Sequence, residues 1–251
     1  MSDVSDVSDD VPESAAERLP YVPPERWWGL GDFWIAVALY LFLAVAGAGL
    51  VTAVPDNPDA QAWAVVASVA LPWLGLAGWP IAATRFKGRG PVLDLRLRAS
   101  PSDLVLGAAA GVVGLLLAGI VAVGVEELLG DPLESSVGQL ADSLGEASPW
   151  PVVVLALLAV IGAPVVEEIA FRGLLFGAEE KRGKTMVRCV LVSSVLFAAF
   201  HFEPTRFAVL LVIGLVLGWV RARTGSTGAS MVTHMVNNLP GGIALVGLAF
   251  S

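Results

Sequence analysis

The chain has 251 residues, of which 56% are hydrophobic and only 15% are charged, and its mean hydropathy is +0.75. Soluble domains carry about 25% charged residues, so this composition argues against a soluble protein and predicts a polytopic membrane protein. The formal net charge of −8, with no pattern that would form a basic groove, argues against nucleic acid as a partner.

Residues 1–28 differ in composition from the rest of the chain. Up to Arg26 they contain seven acidic residues, four prolines and no apolar run, which is typical of a disordered tail. They lack the basic and apolar regions of a signal peptide, so the first membrane helix is expected to direct insertion. Residues 29–251 are predicted to form the membrane domain.

Seven apolar segments follow, and they predict an all-α transmembrane bundle of about seven membrane helices. The predicted segments are 29–54, 62–84, 103–125, 151–178, 186–202, 206–220 and 226–250. Because proline interrupts helices, a kink is expected at Pro72, an end near Pro80, and a break or kink at Pro240.

The charges between the segments predict the orientation. Basic residues are concentrated in the loops Arg85–Arg98, Lys181–Arg188 and Arg221–Arg223, whereas the acidic connection 126–150 contains no lysine or arginine. By the positive-inside rule the three basic loops lie in the cytoplasm. The sequence therefore predicts a multi-pass protein of the cell membrane with a cytoplasmic N-terminus.

Ionisable residues occur inside the fourth segment. Glu168 and Arg172 are four residues apart, so on a helix they would form an ion pair on one face. Glu167 has no basic residue three or four positions away, and its partner must come from another helix. The acid pair Glu126-Glu127, which lacks a following arginine and lies at a helix end, is assigned no chemistry.

Both histidines of the chain, His201 and His234, also lie in apolar segments that we expect to be helical, and Asn238 follows His234 by one helical turn. One buried histidine is most simply a core residue. Two histidines, an unpaired glutamate and an asparagine at similar depth in a membrane are costly to bury and favour a functional site.

Three motifs carry a family resemblance. Glu167-Glu168-x-x-x-Arg172, Phe197-x-x-x-His201 and His234-x-x-x-Asn238 together resemble the signature of the CPBP intramembrane proteases, which include the type II CAAX prenyl endopeptidases. The resemblance covers residues 164–238. It implies an endopeptidase that cleaves a membrane-associated or lipidated protein or peptide, with Glu167 and His201 activating water. His234 and Asn238 would then donate hydrogen bonds to the oxyanion, and Glu168, Arg172 and Phe197 would support these residues.

Two alternatives remain at this point. Glu167, His201 and His234 form the two-histidine, one-carboxylate set that a catalytic zinc uses, although the His-Glu-x-x-His spacing of common zinc proteases is absent. We favour chemistry without a cofactor and keep one zinc ion as the alternative. The second alternative is a non-catalytic scaffold or immunity protein that retains the fold. A transporter or ion pathway is less favoured because the sequence shows no internal repeat.

Overall fold

The computed structural model describes residues 27–134, 138–140 and 148–250. The predicted tail lies outside this range except for Trp27 and Trp28. The described residues form helices and contain no strand, which confirms the predicted all-α class. The helices are α1 (Leu30–Ala53), α2 (Pro58–Lys87), α3 (Pro91–Asp94), α4 (Pro101–Leu129), α5 (Pro149–Lys181), α6 (Met186–Ala199), α7 (Phe207–Thr224) and α8 (Thr227–Ala249).

Except for the single turn α3, each helix occupies one of the seven predicted segments. Within the described part of the chain, five helices are long and apolar enough to cross a membrane: α1, α2, α4, α5, and α7 together with the 3₁₀ turn before it. Helix α6 is apolar but has only 14 residues, and α8 includes the polar residues His234, Asn237 and Asn238. The chain is therefore a multi-pass membrane protein.

The predicted helix end near Pro80 and the predicted break at Pro240 are wrong, whereas the kink at Pro240 stays a prediction. Helix α2 continues past Pro80 to Lys87, because a π-helical turn at Leu74–Gly78 ends just before it and Pro80 falls in the first turn of the next α-helical segment. A missing N–H has little cost in a first turn. Helix α8 runs unbroken through Pro240, as membrane helices often do when neighbouring groups satisfy the freed backbone.

Helix α5 changes its winding on both sides of the two glutamates. The α-helical segment Ala163–Glu168 lies between π-helical segments at Leu158–Gly162 and Ile169–Leu175. Such turns break the regular backbone hydrogen-bond ladder and are frequent at functional sites. They also change which side chains and carbonyl groups face the neighbouring helices.

Glycines bring α8 close to α4 and α5. A Cβ atom added to Gly107 would lie 2.5 Å from the Ala229 oxygen, and one added to Gly111 would lie 2.6 Å from Val236 Cβ. On the other side of α8, a Cβ atom at Gly242 would lie 2.2 Å from Val160. The small residues of α4 therefore serve close helix packing, as predicted, and this packing holds α8 next to the glutamates of α5.

The three basic loops meet at one end of the bundle, which we call the basic end. Glu180, near the end of α5, lies 3.6 Å from the Arg96 guanidinium and 3.1 Å from that of Arg221. Lys181 donates a hydrogen bond to the Trp28 carbonyl at 2.6 Å, which places the start of the described chain at the same end. The start of the described chain and the three basic loops therefore lie at one end of the bundle.

The cytoplasmic location of the basic end stays a prediction that labelling can test. In a Cys189→Ala background, Lys184→Cys at the basic end should not react with a membrane-impermeant maleimide in intact cells, whereas Asp131→Cys should. Both positions are exposed, and Asp131 follows α4, whose 29 residues span about 43 Å. The reverse labelling pattern would invert the orientation.

Candidate active site

The predicted ion pair between Glu168 and Arg172 is present at the centre of the bundle. Both side chains have 0% exposure, and Arg172 Nη1 donates to Glu168 Oε1 at 3.0 Å. Arg172 Nη2 donates to the Gly214 carbonyl of α7 at 2.9 Å. The arginine therefore links α5 to α7 as well as compensating the charge of Glu168.

Glu168 has a second partner, which the sequence did not predict. His234 Nδ1 on α8 lies 3.1 Å from the same Glu168 Oε1 that receives the Arg172 bond. An ionised carboxylate only accepts hydrogen bonds, so His234 Nδ1 carries its proton in this contact. The other ring nitrogen of His234 then faces Glu167.

Glu167 has both histidines as neighbours, so its partners come from outside its own helix, as predicted. Glu167 Oε2 lies 3.9 Å from His201 Nε2 and 3.9 Å from His234 Nε2. These distances are too long for direct hydrogen bonds but allow one water molecule to contact two of the groups. Glu167 Oε2 is buried and has no hydrogen-bond partner among the described residues.

His201 does not lie within a helix, which corrects the sequence-based expectation. Helix α6 ends at Ala199, and His201 belongs to the turn that follows, where Phe202 has a φ of 55°. His201 Nδ1 lies 2.8 Å from the Phe197 carbonyl. Since a carbonyl only accepts, Nδ1 carries the proton, and a neutral His201 directs the lone pair of Nε2 towards Glu167.

Asn238 lies next to the first π-helical segment of α5. Its Nδ2 donates to the Ala159 carbonyl at 2.9 Å, and the irregular winding of Leu158–Gly162 is what allows this carbonyl to accept a bond from another helix. The amide group has two N–H donors, so one remains for another acceptor. Glu167 Oε2 lies within 4 Å of both histidines, and Asn238 follows His234 by one turn of α8.

The segment that contains all of these site residues also matches a known protein family. Residues 149–240 match the family described as type II CAAX prenyl endopeptidase Rce1-like. We call this matching stretch, residues 149–240, the CAAX/CPBP segment. The match confirms the resemblance predicted from the three motifs, and it extends from the start of α5 into α8. No curated protein and no solved structure matched the chain.

Phe197 occupies the centre of the CAAX/CPBP segment. Its ring is fully buried and makes edge contacts with His201 at 4.6 Å and His234 at 5.5 Å between ring centroids. The Arg172 guanidinium lies over the same ring at 4.5 Å. One aromatic side chain thus contacts both histidines and the arginine, and its supporting role stays a prediction.

The site is partly open to its surroundings. Side-chain exposure is 25% for His201 and 20% for Glu167, against 4% for His234. Glu167 and His201 are therefore the more accessible of the three side chains. His234 lies deeper, against Glu168.

Two contacts of the CAAX/CPBP segment had no signal in the sequence. The carbonyl groups of Ala159 and Gly214 receive the bonds from Asn238 and Arg172, and any residue type supplies a carbonyl. The glycine at 214 does have a packing reason, since a Cβ atom there would lie 3.1 Å from the Ser194 oxygen of α6.

The predicted zinc ligands have suitable chemistry, with two imidazole nitrogens and one carboxylate oxygen facing one another. The other ring nitrogen of His201 is bound to a carbonyl and that of His234 to a carboxylate. Metal-binding histidines commonly have such outer partners. Within residues 27–134, 138–140 and 148–250, however, no group of three or more His, Cys, Asp or Glu side chains has the arrangement of a metal site.

Proposed function

We propose that the protein is an intramembrane endopeptidase in which Glu167 and His201 activate the water that hydrolyses a peptide bond of a membrane-associated protein or peptide. The observation that carries this proposal is the pair of hydrogen-bond acceptors, Glu167 Oε2 and His201 Nε2, facing each other at 3.9 Å. A water molecule that donates one hydrogen to each of them directs a lone pair outward. The family match supports a protease independently of this geometry.

In the proposed reaction, Glu167 takes a proton from the water as its oxygen attacks the carbonyl carbon of the substrate. His201, held by the Phe197 carbonyl, keeps the water in place through Nε2. The carbon–nitrogen bond then breaks, and the proton held by Glu167 passes to the leaving amine. General acid–base catalysis of this type contributes about 10²–10⁴-fold to the rate.

His234 and Asn238 are proposed to stabilise the oxyanion that forms in the attack. With Nδ1–H bonded to Glu168, His234 donates from Nε2 when the ring is an imidazolium. That charge state balances the site, because Glu167 and Glu168 are then matched by Arg172 and His234. A buried site without net charge avoids the large cost of an uncompensated ion.

Zinc is the alternative for the activation of water. Glu167, His201 and His234 would hold the ion, which when bound makes its water a nucleophile near neutral pH. We expect zinc-free protein, prepared with a chelator and checked by elemental analysis, to keep its full turnover. Loss of turnover on chelation and its recovery with stoichiometric zinc would establish the metal mechanism instead.

The proposed function predicts new protein termini in membranes that contain active enzyme. Quantitative proteomics of the termini of membrane proteins should compare cells that express the wild type, Glu167→Gln, or the matched control Glu127→Gln, which replaces an exposed acid at the end of α4. Termini present with the wild type and Glu127→Gln but absent with Glu167→Gln identify substrates. Equal termini in all three would instead favour the non-catalytic scaffold.

The adjacent asparagines provide a matched test of the oxyanion assignment. Asn238→Ala should lower turnover of a peptide identified in this way by about 10²–10³-fold, the effect of removing one oxyanion donor. Asn237→Ala should lower the melting temperature instead, because Asn237 Nδ2 donates to the carbonyls of Gly111 and Thr233 within the helix packing. Loss of stability without loss of turnover in Asn238→Ala would remove it from the oxyanion hole.

A further inference from the structure

A cleft lies between α4 and α7, on a part of the bundle that the proposed chemistry does not use. Its volume is about 470 Å³, within the range of ligand clefts, roughly 300–1,000 Å³. The residues that line it are Leu106, Ala109, Ala110, Val113, Leu215, Val216 and Trp219. All are apolar except for the indole nitrogen, and Val113 and Trp219 are about half exposed.

Both walls of the cleft belong to candidate membrane spans, so the medium at its mouth is the hydrocarbon of the bilayer. Acyl chains are as apolar as the cleft walls, and the hydrophobic effect alone does not select among lipids there. An acyl chain in the cleft does restore the dispersion contacts that the gap between the helices lacks. Selection among lipids must then come from the headgroup.

Positive charge lies where a headgroup would be. Arg223 follows Trp219 by one turn of α7, about 6 Å further towards the basic end. Arg98 lies just before α4 at the same end, since its carbonyl accepts a 2.6 Å bond from Ser226. Both arginines are exposed, and neither guanidinium is in an ion pair among the described residues. Asp103, the nearest acid on α4, already accepts bonds from the Ser100 backbone and hydroxyl.

We propose that this cleft binds one acyl chain of an anionic phospholipid whose phosphate is held by Arg223 and Arg98. Two observations support this ligand: the apolar cleft opens to lipid, and the unpaired guanidinium groups lie at the end where the lipid phosphates lie. The site does not involve Glu167 or the histidines. A test of lipid binding at this cleft is therefore independent of the proposed protease activity.

The test uses Trp219 as a reporter inside the cleft. The full chain is placed in nanodiscs of phosphatidylcholine that contain a small fraction of lipid with brominated acyl chains, which quench indole emission on contact. The contribution of Trp219 is the difference between the wild type and Trp219→Phe. Brominated phosphatidylglycerol should quench it at roughly 30-fold lower mole fraction than brominated phosphatidylcholine, because each of the two arginines near an anionic headgroup contributes about fivefold.

Three variants determine whether the arginines and the cleft cause that preference. Arg223→Gln and Arg98→Gln should each reduce it. The matched control Arg85→Gln removes an exposed arginine from α2 and should leave the preference intact. Ala109→Phe should reduce quenching by both lipids because the ring fills the cleft; thermal unfolding checks that this variant is folded.

Equal quenching by the two lipids in the wild type would overturn the proposal, as would a preference that survives in an Arg98→Gln/Arg223→Gln double variant. Protection of Trp219 from both lipids, together with disulfide cross-linking between copies through Val113→Cys, would assign the cleft to a second copy of the chain and would also overturn it.

Discussion

Glu167→Gln is expected to lower turnover by about 10²–10⁴-fold while the protein remains folded and inserted. Glutamine has nearly the same shape as glutamate, but it cannot accept the proton of the attacking water. Stability should change little, because Glu167 Oε2 makes no hydrogen bond to another described residue. The measurements are turnover of a peptide identified from the mapped termini and the melting temperature in detergent.

The control for this experiment is Glu127→Gln, which removes a glutamate from the same protein at a helix end and should leave both quantities unchanged. Turnover within tenfold of the wild type in Glu167→Gln would contradict the role of Glu167 as the base. A large fall in melting temperature would instead make its carboxylate part of the structural network around Glu168.

Arg172→Leu is expected to lower the free energy of unfolding in detergent by about 3–5 kcal/mol, the cost of breaking a buried ion pair by removing one partner. The change leaves the fully buried Glu168 with only His234 as partner, and it also leaves the Gly214 carbonyl without its donor. Thermal or denaturant unfolding measures the loss.

The matched control for this change is Arg182→Leu. Arg182 and Glu179 also form an ion pair, at 3.6 Å, but the arginine is 55% exposed, so removal should cost no more than about 1 kcal/mol. Replacing Glu168 by glutamine in the Arg172→Leu protein should restore part of the stability, because no unpaired charge then stays buried. If Arg172→Leu kept its stability and lost turnover, the arginine would belong among the reacting groups.

Local patterns in the sequence were enough for the membrane helices and for one ion pair. A long run of apolar residues predicts a membrane span from composition alone. A four-residue spacing brings Glu168 and Arg172 together even though Arg172 lies in the π-helical segment Ile169–Leu175. The motifs also indicated that Glu167 needs a partner from another helix. The sequence thus indicated candidate residues for the site but not their contacts.

Tertiary structure decided which nitrogen atom of each histidine faces Glu167. His234 and Glu168 are 66 positions apart, and they meet because the glycines of α4 and α8 allow close packing beside α5. The end of α6 at Ala199 places His201 in a turn, where the Phe197 carbonyl determines the position of its proton. These contacts depend on the distance between helices and on irregular backbone, and neither leaves a periodic signal in the sequence.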